Sequence, residues 1–326
     1  MTTFKEIRGT AIESVSSDPS NPEVGQIWYN NTIGVLKGYQ NIGGAWASGG
    51  NLATARRIPG GAGTQTAGLC FGGITTVNVT STEEYDGSTW SPGGNMATAR
   101  RGLAGAGTQT AGLGFGGLDP TATRLTATEE YDGSTWSPGG NLNTARFGLG
   151  GAGTQTVGLA FGGQSSVANL TATEEYNGSA WTTGGNLGTA RYLLGGCGIQ
   201  TAGLAMGGGD FMSPLGITNA TEEYDGSAWT AGGSLNTARM YIAGCGTQTA
   251  ALGFGGDTPG VTGATEKYDG TSWTNASSMA TARKSLAGAG TQTAGLAFAG
   301  VTATVLTAAT EEFTDPSFGT RKITTS

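Results

Sequence analysis

The chain is built from six near-copies of one segment, and this internal repeat limits its fold more than any other feature. A Thr-Ala-Arg triplet opens each copy, and a Gly-Gly doublet, a Glu-Glu-Tyr motif and a tryptophan follow, with small departures. Successive tryptophans are 44, 46, 45, 48 and 44 residues apart. A period of this size is typical of repeat architectures, in which each unit buries its apolar surface against its neighbours.

Three residues of the repeat recur at fixed spacing, which favours a structural role for them. The triplet arginines are Arg56, Arg100, Arg146, Arg191, Arg239 and Arg283. The first glutamates of the motif are Glu83, Glu129, Glu174, Glu222, Glu266 and Glu311. The tryptophans, which we expect to pack between units, are Trp46, Trp90, Trp136, Trp181, Trp229 and Trp273.

The two glutamates of each motif are expected to differ in environment, because neighbouring residues of a strand point in opposite directions. The first glutamate is expected to be constrained, and a buried carboxylate needs a partner. A triplet arginine is the candidate partner. The second glutamate is replaced by Lys267 in one copy, and we expect it to face water.

Each copy is predicted to contain four strands, a to d. In the second copy these are Gly102–Ala106, Ala111–Phe115, Thr126–Tyr131 and a strand around Trp136, and Asp132-Gly133 is predicted to be a two-residue hairpin turn. Units of four antiparallel strands at this period are typical of a β-propeller. The sequence therefore predicts an all-β propeller of four-stranded blades, with strand a nearest the axis.

The ends of the chain leave two interpretations of how the ring closes. Residues 1–24 are polar and are predicted to be an N-terminal arm or linker, followed by a propeller over residues 25–326. In the preferred interpretation, residues 25–50 and 319–326 form one composite blade that closes a seven-bladed ring, and Phe313 and Phe318 replace the tyrosine and tryptophan of the sixth copy. In the alternative, Trp46 completes the sixth of six blades, and residues 1–40 form a separate docking module.

All variation in length lies in the connection between strands b and c, where the doublet and the tyrosine are 13, 15, 14, 17, 13 and 14 residues apart. Strands alternate in direction, so every b–c loop emerges on the face that also holds the d-to-a crossings. Variable loops on a rigid frame often carry function, although drift in loop length is the alternative. The candidate binding residues on this rim are Asp119, Pro120, Arg124, Asp210, Phe211, Met212, Leu215, Asp257 and Pro259.

Composition argues against several functional classes. The net charge is −7 and the 16 Lys and Arg form no cluster, which argues against nucleic-acid binding. The chain has no run of 18 apolar residues for a membrane span, and its first residues lack the apolar core of a signal peptide. Histidine is absent, which removes the commonest general base and metal ligand. We therefore expect no catalytic residues, no metal and no cofactor, and three buried free cysteines.

The order of these motifs resembles the kelch repeat. A Gly-Gly doublet, then a tyrosine, then a tryptophan, then an arginine before the next strand recurs six times in register over residues 40–318. Kelch domains are propellers of four-stranded blades, so the resemblance implies the fold that the spacing predicts. The sixth copy departs from the pattern at Ala299-Gly300, Phe313 and Phe318.

A narrower resemblance is to tail and appendage proteins of bacteriophages, especially marine ones. It rests on Ser16–Pro22, on the segment VGQIWYNNTIGVLKGY (Val24–Tyr39) and on units like GTQTAGLAFGG. It implies a virion protein made in the host cytoplasm, present in multiple copies, which contacts other virion proteins through its N-terminal arm. The variable loops would contact a host-surface glycan or protein, or another subunit. The alternatives are a purely structural decoration protein and, more remotely, a carbohydrate-active enzyme or a kelch-fold oxidase.

Overall fold

A computed structural model describes residues 12–23, 25–41, 44–210, 216–315 and 318–323. The chain divides into two compact units, one of Ala45–Thr314 and a smaller one of Met1–Gly44 with Asp315–Ser326. Secondary structure in the described ranges consists of strands, with no helix. The prediction of an all-β fold is confirmed.

Twenty-eight strands are present in the described residues. In chain order they are β1 (Glu13–Val15), β2 (Ile27–Asn30), β3 (Val35–Asn41), β4 (Ala45–Ser48), β5 (Gly60–Gly63), β6 (Gly68–Phe71), β7 (Thr82–Tyr85), β8 (Trp90–Gly93), β9 (Ala104–Gly107), β10 (Gly112–Phe115), β11 (Thr128–Tyr131), β12 (Trp136–Pro138), β13 (Gly150–Gly153), β14 (Gly158–Phe161), β15 (Thr173–Tyr176), β16 (Trp181–Thr183), β17 (Gly195–Ile199), β18 (Ala202–Met206), β19 (Thr221–Tyr224), β20 (Trp229–Ala231), β21 (Ala243–Thr247), β22 (Ala250–Phe254), β23 (Thr265–Tyr268), β24 (Trp273–Ala276), β25 (Ala287–Gly290), β26 (Ala294–Phe298), β27 (Thr310–Thr314) and β28 (Phe318–Lys322).

The larger unit consists of six four-stranded antiparallel sheets, which are the blades of a propeller. Strands β5 to β24 form the first five blades, four consecutive strands to each, and the sixth blade has the order β25-β26-β27-β4. In every blade the a, b, c and d strands of the repeat follow one another across the sheet, as the sequence predicts. In the second blade, the observed bounds of strands a, b and c differ from the predicted ones by at most two residues.

The pairing of strands in the sixth blade differs from the preferred prediction of ring closure. β4 pairs with β27 and places Trp46 opposite Phe313, as Trp90 lies opposite Tyr85 in the first blade. Trp46 therefore supplies the tryptophan of this blade, and Phe318, the first residue of β28, does not. The composite blade of residues 25–50 and 319–326 is wrong in its outer strand, and the six-bladed alternative describes the larger unit.

The blades contact one another in an unbroken circuit of inner strands. These strands follow the order β5, β9, β13, β17, β21 and β25, and β25 also contacts β5. The tryptophans also connect neighbouring blades, because each donates its Nε1–H to a threonine of the preceding blade. Trp136 donates to Thr82 at 2.9 Å, and Trp90 of the first blade donates to Thr310 of the sixth at 2.9 Å. The prediction that the tryptophans pack between blades is confirmed.

Glycine is required in the inner strands because these strands approach one another closely. A Cβ atom added at Gly105 of β9 would lie 2.3 Å from the carbonyl oxygen of Gly61 in β5. Cβ atoms do not occupy such positions, so a side chain there would force the two blades apart. The glycine content of the chain is thus largely a consequence of packing six strands around one axis.

The smaller unit contains one four-stranded sheet in the order β1-β2-β3-β28. β1 runs parallel to β2, and β28 is antiparallel to β3, with Phe318 opposite Asn41. The two ends of the chain therefore share a sheet, although it lacks residues 45–48 of the predicted composite blade of residues 25–50 and 319–326.

Residues 12–23 of the predicted N-terminal arm are more ordered than their polar sequence indicates. Residues 1–11 and 24 lie outside the described residues, but β1 belongs to the sheet. Asp18 accepts hydrogen bonds from Trp28 Nε1 at 3.1 Å and Asn30 Nδ2 at 2.9 Å, and its second oxygen pairs with Lys37 Nζ at 2.5 Å. These bonds, that from Lys37 first, lower the pKa of Asp18 to about 2. Residues 12–23 are therefore part of the folded unit.

Candidate functional site

Two faces of the propeller are defined by its connections. The loop face holds the b–c loops and the d-to-a crossings, and the turn face holds the a–b and c–d turns. On the loop face, the residue after each triplet arginine bridges to the start of the b–c loop of its own blade, as Arg57 bridges to Ile74. The d-to-a crossings and b–c loops thus form one continuous surface.

Buried ion pairs fix the backbone of the loop face. Every triplet arginine pairs with the first glutamate of its own blade, as the sequence hypothesis proposes. The pair joins Arg56 to Glu83 at 2.5 Å and Arg239 to Glu266 at 2.9 Å, and the same contact recurs in the other four blades. All six arginine side chains are at most 1 % exposed.

The second blade illustrates what this ion pair holds in place. Arg100 donates from Nη1 to the carbonyl oxygens of Gly116 at 3.2 Å and Ala127 at 2.7 Å, which lie at the two ends of the b–c loop. Its partner Glu129 accepts the N–H of Ala97, in the d-to-a crossing, at 2.7 Å. The base of the loop and the crossing are therefore fixed by one buried group.

The expectation that the second glutamate of the motif faces water is wrong. Glu84 of the first blade is half-buried and accepts a hydrogen bond from the hydroxyl of Tyr131 in the second blade at 2.5 Å. The same bond joins four other pairs of blades. At the remaining junction the glutamate is replaced by Lys267, and the tyrosine of the next blade is replaced by Phe313, which has no hydroxyl. The two departures from the repeat are therefore matched.

A closed ring of backbone hydrogen bonds surrounds the axis on the loop face. The second residue after each triplet arginine donates its N–H to the carbonyl oxygen of its counterpart in the preceding blade, at 2.6 to 3.2 Å. The last bond runs from the first blade to the sixth and completes the ring. We call these residues the axial ring: Ile58, Gly102, Gly148, Leu193, Tyr241 and Ser285.

The axial ring is strained where its residues are not glycine. All six residues have positive φ, and four of them carry side chains: Ile58 at 46°, Leu193 at 54°, Tyr241 at 54° and Ser285 at 58°. Such a backbone conformation costs a non-glycine residue about 1–3 kcal/mol, and a β-branched residue such as isoleucine adopts it rarely. Glycine fills the position in two blades at no such cost, so the four side chains stand where glycine would be more stable. Strain of this kind is typical of functional positions.

The axial ring encloses a cavity of about 90 Å³ that opens on the loop face. Ile58, Leu193, Tyr241 and Ser285 line it, together with apolar residues of the following position in the sequence, such as Leu103. The cavity is a pocket of aliphatic character with two hydroxyl groups, those of Tyr241 and Ser285.

Two cations act on the hydroxyl of Tyr241. The Nζ atom of Lys284 lies 5.8 Å from the centre of the tyrosine ring and 2.7 Å from Oδ2 of Asp257. Burial raises the pKa of Tyr241, while the charges of Lys284 and Arg57 lower it. Lys284 and Arg57 therefore act on Tyr241 at the edge of the cavity, and Asp257 acts on it with the opposite sign.

The structure places several of the predicted rim residues in contacts between loops. Arg124 donates to the carbonyl oxygen of Gln164 at 3.2 Å and to its Oε1 at 2.7 Å. Asp210 accepts a bond from Asn169 at 2.9 Å, and Asp257 pairs with Lys284. These contacts each join neighbouring blades, so the three residues stabilise the loop face.

The other predicted rim residues lie within single loops or outside the described residues. Asp119 accepts bonds from Thr121 and Thr123 of its own loop, which lower its pKa. Pro120 and Pro259 are exposed. Phe211, Met212 and Leu215 fall outside the described ranges.

Sequence reasoning missed the most variable positions of the loop face. The residues one and two places after the triplet arginine change from blade to blade, whereas the flanking positions are nearly constant. The first of these positions holds Arg57, Arg101, Phe147, Tyr192, Met240 and Lys284, and the second is the axial ring. An alignment of the six copies by residue identity would have found them, but loop length alone does not.

Apolar side chains are exposed at the tips of three b–c loops. Val77, Val167 and Val305 are 64 %, 87 % and 60 % exposed. Exposed apolar residues on a variable surface are typical of contact sites, and single ones are common on any protein.

Comparisons with known proteins give this chain no family: no protein-family model matches it, and no curated protein matches it. Among the described residues, no three His, Cys, Asp or Glu side chains are grouped to hold a metal ion. No helix in the described part of the chain is long and apolar enough to cross a membrane. Cys70, Cys197 and Cys245 are free and buried, and burial raises the pKa of each thiol.

Proposed function

We propose that this chain is a non-enzymatic recognition protein, of the bacteriophage tail or appendage type, which contacts the host surface through its loop face. One observation supports the proposal above others. Six blades keep the same ion pairs and strand pairing, while the lengths of the b–c loops and the residues around the axis change on the loop face. A rigid frame that varies on one surface suits binding, because side chains there can change without cost to the fold.

The smaller unit has a separate role in this proposal. It would attach the propeller to other virion proteins, in the manner that the resemblance to phage appendage proteins implies. The protein would then be present in several copies on the particle. Immunogold labelling of purified virions with antibody to the chain tests this part, and absence of label from intact particles would contradict it.

Binding of the purified protein to bacterial cells and to their isolated surface polysaccharides tests the recognition role. A variant with Val77, Val167 and Val305 changed to serine is expected to lose binding, because these residues are exposed on the loop face. The matched control changes Val157 and Ile199, which are 44 % and 53 % exposed on the turn face. Equal loss in both variants would contradict a role for the loop face.

A second candidate function is a decoration protein with no receptor. The contacts that favour it are those between neighbouring b–c loops, such as Arg124 with Gln164 and Asn169 with Asp210, since they stabilise the face without needing a ligand. Phage particles that lack the chain would adsorb to cells normally under this hypothesis, and slowly under the first.

A further inference from the structure

We propose that the cavity of the axial ring binds one carboxylate-bearing, N-acetylated sugar residue of a surface polysaccharide. This inference rests on the proposed function and names the ligand class and its point of contact. It moves the specific site from the tips of the b–c loops to the axis of the propeller.

The distribution of cations indicates an anionic ligand. Within residues 45–314 five Lys or Arg lie outside the six buried ion pairs. Four of them are on the loop face of the sixth, first and second blades, whereas the fifth, Lys267, is in strand c of the fifth blade. These four are Lys284, Arg57, Arg101 and Arg124. On a chain of net charge −7, such a cluster favours the approach of an anion to this face.

The local charge at the cavity suits a single negative charge. Arg57 is exposed, and its charge acts on the Tyr241 hydroxyl together with that of Lys284. Asp257 pairs with Lys284 and offsets one of the two positive charges. A net charge of about +1 at this edge matches a carboxylate better than a doubly charged phosphate.

The remainder of the site is apolar on one side and carries hydroxyl groups on the other. The cavity of about 90 Å³ is lined largely by aliphatic side chains, and it accommodates a group of a few non-hydrogen atoms, such as the acetamido substituent of a sugar. Tyr241 and Ser285 are the lining residues that carry hydroxyl groups. Phe147 and Tyr192 occupy the position after the triplet arginine in the third and fourth blades, opposite the basic half.

Strain in the axial ring is the observation that favours a ligand over a purely structural role. The ring bonds are between backbone atoms and are present in the blades that have Gly102 and Gly148. The side chains of Ile58, Leu193, Tyr241 and Ser285 are therefore unnecessary for closing the ring. They disfavour the backbone conformation that they occupy, yet all four line the cavity.

The test measures binding of the full chain to an array of bacterial polysaccharides, some acidic and some neutral, with each acidic one also printed in carboxyl-reduced form. We expect binding to acidic, N-acetylated polymers and a loss of at least about tenfold on carboxyl reduction, since a lost charged contact of about 1.4 kcal/mol is tenfold in affinity. Arg57→Met and Lys284→Met are each expected to weaken binding about tenfold. Lys267→Met is the matched control and is expected to bind as the unchanged protein does.

A further variant separates binding from folding. Tyr241→Gly removes a wall of the cavity while glycine accepts the backbone conformation at φ 54°. We expect it to lose binding while the protein still unfolds in one cooperative thermal transition. The proposal is overturned if carboxyl reduction has no effect, if acidic peptides bind and acidic glycans do not, or if Tyr241→Gly binds normally. If only the loop-tip valine variants lose binding, the axial site is wrong and the proposed function stands; if no surface polymer or cell is bound, both fail.

Discussion

The two faces of the propeller differ in which side-chain contacts recur in all six blades. On the turn face, one glutamine per blade donates to two carbonyl oxygens of the preceding blade, as Gln109 does to Gly68 at 3.1 Å and Tyr85 at 2.7 Å, and this contact recurs in all six blades. On the loop face, the backbone contacts also recur, but the side chains around the axis do not. Side chains of the turn face are thus used to join blades, whereas many on the loop face are not.

Charge separates the two faces as well. The c–d turns place Asp86, Asp132, Asp225 and Asp269 on the turn face, where turn residues donate to their carboxylates. Bonds from Thr135 and Ser134 lower the pKa of Asp132 to about 2. The cations outside the buried pairs lie mainly on the loop face. The turn face is therefore acidic, whereas the loop face combines four cations with the carboxylates of Asp119, Asp210 and Asp257.

The largest effect is expected from breaking the support beneath the loop face. Arg100→Met leaves Glu129 buried without its cation and the b–c loop without its anchor, which should cost about 3–5 kcal/mol of unfolding free energy. Chemical denaturation measures this loss. Arg101→Met, one residue away and partly exposed, is the control and should change stability by less than about 0.5 kcal/mol. A loss below about 1 kcal/mol for Arg100→Met would remove the ion pair from the explanation of the fold.

A smaller effect is expected from glycine substitutions that compare the interior with the loop face. Gly105→Ala places a methyl group against the carbonyl of Gly61 and should destabilise the protein by about 1–3 kcal/mol. Gly260→Ala, in a b–c loop, meets no atom within 4 Å and should be nearly neutral. Thermal unfolding of the two variants checks this, and equal stability would contradict close packing of the inner strands.

The next effect concerns the bond between Tyr131 and Glu84 at the edge of the blades. Tyr131→Phe should cost about 1–2 kcal/mol, because the bond is to a charged group.

The junction of Lys267 with Phe313 permits the reverse experiment. Introducing Lys267→Glu and Phe313→Tyr together should stabilise the protein more than the sum of the single changes, as a double-mutant cycle measures. An additive result would show that the two natural departures are unrelated.

Much of the fold was predictable from the sequence because each repeated residue has a local physical reason. The period fixes the blade, the glutamate needs a cation, and the tryptophan needs a neighbour to pack against. The closure of the ring was not predictable in the same way. Phe313 occupies the tyrosine position of the sixth blade, and Phe318 follows it at the distance that separates tyrosine from tryptophan in the other copies. Only the pairing of β4 with β27 distinguishes Trp46 from Phe318, and that contact joins residues far apart in the chain.

Two further features differ from the sequence prediction or were absent from it, namely the turn at Asp132-Gly133 and the axial ring. Asp132-Gly133 is part of a four-residue connection, since β11 ends at Tyr131 and β12 begins at Trp136. Gly133 alone adopts positive φ there, and Asp132 instead accepts bonds from the residues that follow. The axial ring was not predicted from loop length, because its position in the repeat is constant and only the residue type at that position varies.

The smallest effect is the contribution of one tyrosine to the loss of stability at alkaline pH. Burial, with the bond to glutamate, raises the pKa of Tyr85, Tyr131, Tyr176, Tyr224 and Tyr268 to about 12, from 10.0. A phenol that binds its proton more tightly in the folded state stabilises that state below pH 10 and loses this contribution as the pH rises toward 12. The free energy of unfolding should therefore fall over this interval, and Tyr131→Phe should fall less steeply because one of the five groups is gone. Denaturation curves at pH 9, 10 and 11 measure both slopes, and a variant that declines as steeply as the unchanged protein would assign the alkaline loss to other groups.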